Sequence, residues 1–136
     1  MSKIGEKIGV RNVIRIEGDR VVTYIHPGAR VGVAVAFMNV GNEDIDAIGK
    51  DVAMQIAAMK PVSVDHTNVP ADIVAKELQI GRERALAEGK PEAIVDKIAQ
   101  GMLQKYYKEN TLLAQEFVKD TSKTVGQYLK ENNPNL

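Results

Sequence analysis

Residues 69–107 read VPADIVAKELQIGRERALAEGKPEAIVDKIAQGMLQKYY, and this stretch decides the fold. Pro70 fits the first turn of a helix, because its missing amide hydrogen would be unsatisfied there anyway. That helix is predicted to run to about Glu88 and to stop at Gly89, a glycine C-cap. Pro91 starts a second helix from about Glu92 to Tyr107. The link Gly89-Lys90-Pro91 is too short for anything but an antiparallel return. Ile73, Ile80 and Leu86 are expected to face Ile94, Ile98 and Met102. Outside that narrow seam both helices are charged: Lys76, Glu77, Arg82, Glu83 and Arg84 on one, Glu92, Asp96 and Lys97 on the other. An apolar seam with wet flanks describes a projecting two-helix arm.

Upstream of the arm the sequence alternates in the manner of strands. Val10–Glu17 (VRNVIRIE) and Val21–Ile25 (VVTYI) are β-branched runs separated by the turn signal Gly18-Asp19, which predicts a hairpin. His26-Pro27-Gly28-Ala29-Arg30 is a connector, since proline lacks a donor and glycine permits positive φ. Val31–Met38 (VGVAVAFM) is nearly continuous in apolar residues, which suggests a strand buried on both faces or central in its sheet. Asn42 is expected to cap a helix from about Glu43 to Met59. Ile45, Ile48, Val52, Ile56 and Met59 mark its sheet-facing side. Lys60-Pro61 ends it. Asp65-His66-Thr67-Asn68 reads as a polar turn. Beyond the arm, Ser122 is placed as the cap of a last helix, about Lys123 to Lys130, followed by the loop Asn132-Asn133-Pro134-Asn135. The fold class is therefore α+β: a small antiparallel sheet backed by helices, with an inserted antiparallel helical hairpin at about 70–107.

Composition narrows the functions. A chain of 136 residues with 44% hydrophobic and 26% charged residues can bury the core of one domain. Eighteen basic residues offset eighteen acidic ones, which argues against nucleic acid or an anionic membrane as the main partner. Cysteine is absent, so disulfides and thiolate metal sites are excluded, in keeping with a reducing cytosol. No apolar run approaches the roughly 20 residues that span a bilayer. The N-terminus lacks the apolar region of a secretory signal.

The search for chemistry returns little. His26 and His66 lie in separate connectors, and no third ligand is placed by spacing, so no metal site is assigned. Ser63, Asp65 and His66 are adjacent in sequence, whereas a triad is assembled across a fold. Gly28-Ala29-Arg30-Val31-Gly32 precedes a strand and carries no Gly-Lys-Ser/Thr, so it is no phosphate loop. Glu43, Asp44 and Asp46 lack the spacing of a calcium loop. Alternating charge signs and 4% aromatic residues make the arm a poor nucleic-acid surface. These residues describe a protein-binding domain with no visible active site and no cofactor.

Several ordered segments resemble the elongation factor Ts family. Tyr24-Ile25-His26-Pro27-Gly28-Ala29-Arg30-Val31-Gly32-Val33 resembles its tyrosine–histidine–glycine–arginine connector. Asp51-Val52-Ala53-Met54-Gln55-Ile56-Ala57-Ala58-Met59-Lys60-Pro61 resembles the helix that ends in Ala-Ala-x-x-Pro. Val69-Pro70-Ala71 opens the arm and Glu88-Gly89-Lys90-Pro91 turns it, as in the family. Gln115-Glu116-Phe117-Val118-Lys119-Asp120 and Lys123-Thr124-Val125 match its late signature.

The resemblance implies that residues 1–136 form one unit, equivalent to the C-terminal half of the family's core with its coiled-coil arm. It implies a non-enzymatic, cytoplasmic role: binding elongation factor Tu and promoting GDP release during translation elongation. The family's Thr-Asp-Phe-Val motif has no counterpart here, since Phe37 follows Ala36 and Phe117 follows Glu116. The chain is accordingly expected to be a docking and scaffolding fragment. The resemblance implies partner contact through His26, with Gly28 and Arg30 beside it, against the plainer reading of a solvated turn. Pro27 stands where many relatives have a small residue. The alternative role is a homodimerisation module without exchange activity of its own.

Overall fold

The computed structural model describes residue 5, residues 9–28 and residues 30–136. β1 (Arg20–Ile25) and β2 (Gly32–Phe37) form an antiparallel pair, with Val22 opposite Val35 and Tyr24 opposite Val33. The hairpin turn is the connector 26–31. The strand expected at Val10–Glu17 is absent: residues 9–17 take no regular structure, and Val10, Val13 and Ile14 are 78%, 86% and 82% exposed. A β-branched run becomes a strand only when its backbone finds a partner, and β1 takes β2 instead. Asp19 does not sit in a hairpin turn either. Its carboxylate accepts from the Val40 amide at 3.4 Å, pinning the entry to β1 against the exit from β2. Nor is β2 central: among the described residues its sheet has two strands, and Gly32 and Ala34 on its outer face are exposed.

α1 (Asp46–Met59) lies across the inner face of this pair. It starts later than expected, with buried Ile45 rather than Asn42 at the N-cap position. The Asp44 side chain accepts from the Asp46 amide at 3.0 Å, and the Arg20 guanidinium donates to Asp46 at 2.6 and 3.0 Å. That bond to the carboxylate holds the Arg20 pKa above its ordinary value. Ile45 and Val52 enter the core, Ile48 and Ile56 flank it, and Met59 is exposed. Lys60, at φ 47°, turns the chain out of the helix.

The core joins Val22, Phe37, Ile45 and Val52 to Phe117, Val125 and Leu129 from the C-terminal segment. That segment holds a second antiparallel pair, β3 (Glu116–Phe117) and β4 (Asp120–Thr124), followed by α4 (Val125–Asn132). Thr124, not Ser122, caps α4. It forms a reciprocal capping box with Gln127, satisfying two backbone donors. Ser122 instead donates to Asp120, which lowers the Asp120 pKa. Asn133 is buried in the last loop.

α2 (Ala71–Ala87) and α3 (Glu92–Asn110) form the antiparallel hairpin. Its seam differs from the one expected. The buried residues are Gly81 and Ala85 facing Val95, Ala99 and Leu103, while Ile80, Leu86 and Ile94 are 42%, 54% and 41% exposed. Small residues bring the backbones close and turn the larger side chains outward. Among the described residues, no helix is long and apolar enough to cross a membrane.

Candidate functional site

The turn after β1 is built by its own backbone. The His26 amide donates to the Val31 carbonyl at 2.9 Å, closing the loop. Gly28 adopts φ 94°, a conformation that a β-carbon would strain. The turn therefore brings His26, Gly28 and Arg30 together at one end of the sheet, all three exposed. Tyr24 sits two residues before His26 on the face that carries Val22. Its hydroxyl lies 3.2 Å from His26 Nδ1, and the two rings meet edge-on with centroids 6.0 Å apart. This contact orients the imidazole, and the tautomer decides what the other ring nitrogen offers. Where the hydroxyl donates, the ring proton sits on Nε2, which then offers a donor to solvent or a partner; the other tautomer offers an acceptor.

His66 has different surroundings. Its ring packs against Tyr107 at 5.7 Å, at the root of the hairpin. Ser63 donates to the Asp65 carbonyl at 2.7 Å, and the Asp65 carboxylate accepts from the Thr67 hydroxyl and amide at 2.5 and 2.8 Å. Those bonds lower the Asp65 pKa. Ser63, Asp65 and His66 thus build a turn, with the carboxylate spent on Thr67 rather than aimed at imidazole. Among the described residues, no group of three or more His, Asp or Glu side chains is placed to hold a metal ion. Sequence reading gave no role to Gln55 and Gln115, both of which are buried; nothing in the sequence sets them apart from exposed glutamines.

The family model for elongation factor Ts matches residues 1–136. This chain belongs to the elongation factor Ts family. It is 52% identical over 127 residues to the elongation factor Ts of Cytophaga hutchinsonii, covering 93% of this chain and 46% of that protein. It is 50% identical over 133 residues to that of Porphyromonas gingivalis, covering 97% and 47%. The corresponding protein of Amoebophilus asiaticus is 47% identical over 129 residues, covering 95% and 47%. The chain therefore spans about half the length of these relatives. The α+β class expected from the sequence agrees with the four α-helices and two small antiparallel pairs among the described residues.

Proposed function

We propose that this chain is part of a guanine nucleotide exchange factor for elongation factor Tu, promoting GDP release in translation elongation. The observation that carries the reading is the exposed His26, held by Tyr24 on a turn closed by its own backbone, in a member of this family. His26 makes the partner contact, Gly28 gives the turn its path, and Arg30 supplies a cation beside it. The mechanism is binding, not bond chemistry. A partner that prefers the nucleotide-free state weakens nucleotide affinity by the same factor. A ~10⁴-fold shift needs about 5.5 kcal/mol of differential affinity. Residues 1–136 act in this reading as one unit, with 70–107 as a coiled-coil arm, in the cytoplasm. No enzyme activity, nucleic acid or membrane enters it.

Calorimetric titration against nucleotide-free elongation factor Tu tests the binding. A measurable, weak affinity supports it; no binding at high micromolar concentration, with the fold intact by circular dichroism, refutes it for this chain. Labelled-GDP release gives the second readout, and little acceleration is expected from the chain alone.

A second reading has its own observation. The outer sheet face, with Val21 and Ile25 at 40% and 71% exposed beside Ala34, is apolar and open. Two copies could bury it across a two-fold axis as a homodimer. Light scattering over a concentration series separates a dimer from a monomer.

A further inference from the structure

Gln55 and Gln115 are 0% and 1% exposed, in a core that is otherwise almost entirely apolar. Burying two primary amides is costly unless each is hydrogen-bonded. Every buried side-chain nitrogen and oxygen among the described residues has a partner, and these two bond to one another and to nearby backbone. Gln55 Nε2 donates to Gln115 Oε1 at 3.3 Å and to the Glu116 carbonyl at 3.0 Å. Gln55 Oε1 accepts from the Val118 amide at 2.8 Å. Gln115 Nε2 donates to the Glu109 carbonyl at 3.0 Å. Glu109 lies in the last turn of α3, where carbonyls lack intrahelical donors. The Leu113 amide that could serve it donates to Val64 instead.

We propose that this pair is a positioning device: it locks the root of the α2–α3 hairpin to α1 and so fixes the hairpin's angle to the His26 turn. The path is continuous. The His26 turn closes β1, β1 packs through Val22 on Gly49 of α1, and α1 carries Gln55, which reaches α3 through Gln115. Direction is what the amides add. An apolar contact of the same volume tolerates sliding and rotation, whereas four hydrogen bonds on two planar amides define one orientation. The backbone links beside them, Val62 to Asn110 at 2.8 Å and Leu112 to Ser63 and Leu113 to Val64 at 3.0 Å each, tie the root to the segment that leaves α1 rather than to α1 itself. The inference stands apart from the choice of partner.

The chain has no cysteine, so a spin-label pair at Thr23→Cys and Lys90→Cys reports the distance from sheet to hairpin tip without background. In the parent a single narrow distance distribution is expected. In Gln55→Met and in Gln115→Met, with helix content retained, it broadens and shifts. The double variant broadens no further than either single one, because each amide acts through the other. A second pair across the hairpin, Glu83→Cys with Lys97→Cys, stays at its parent distance. A folded Gln55→Met or Gln115→Met with the parent distribution overturns the proposal. So does failure of both variants to fold, which would make the amides part of core formation rather than of orientation.

Discussion

Gly49 sets the separation between α1 and the sheet. A β-carbon there would lie 2.8 Å from Val22 Cβ and closer still to one of its methyl groups. Ordinarily alanine stabilises a helix over glycine by about 0.5–1 kcal/mol. Here overpacking, at about 1–3 kcal/mol, wins, so Gly49→Ala is expected to lower stability in urea unfolding. Tyr128 provides the pH-dependent counterpart. Burial, and then the hydrogen bond to Asp51 at 2.9 Å, push its phenol from 10.0 up to about 12. The folded state holds this proton more tightly than the unfolded chain does. Its contribution is therefore complete below pH 10 and drains away as the pH rises towards about 12. Tyr128→Phe should flatten that alkaline limb in pH-resolved melting curves. Residue-scale legibility was uneven for physical reasons. The turn that carries His26 was legible because proline and glycine mark it, whereas the choice of His26 within it came from the family resemblance. Gln55 was not legible, because glutamine is equally at home in water and the amide partners come from residues 60 and more positions away.

Helices were easier to foresee than strands, because a helix closes its hydrogen bonds within itself. α2 and α3 fall within a few residues of their expected ends, and Pro70, Gly89 and Pro91 mark them. The facing residues were misread because periodicity alone ranks large apolar side chains above small ones. Packing inverted that order: a β-carbon on Gly81 would lie 2.9 Å from Ala99 Cα, and backbone cannot yield as a side chain can. Gly81→Ala is thus expected to splay the hairpin and cost about 1–3 kcal/mol, despite its better helix propensity. Circular dichroism melts will show it. The strand expected at Val10–Glu17 failed for the opposite reason. Its pattern is right, but pairing is a property of two segments, and nothing within one segment names the other.

For the molecule as a whole, family membership says more about role than any single site. The decisive variant is His26→Ala. It removes an exposed ring, so the melting temperature should stay near the parent value while affinity for nucleotide-free elongation factor Tu falls. Calorimetry gives the affinity and thermal scanning the control. An unchanged affinity would reduce the histidine to a solvated turn residue.

The seam of the helical hairpin consists of Gly81, Ala85, Val95, Ala99 and Leu103, and none of these belongs to the cluster around Val22, Val52 and Phe117. Two apolar interiors with no shared member, joined only at the hairpin root, can dissolve separately. Slow heating should accordingly take the protein apart in two calorimetric steps, with the thinly packed hairpin going first. A dilute protease ought to nick the exposed bend at residues 88–91 and leave the sheet, α1 and the C-terminal segment as a surviving body. The molecule thus carries a built-in order of disassembly, in which the part that reaches outward is also the part it can lose and regain alone.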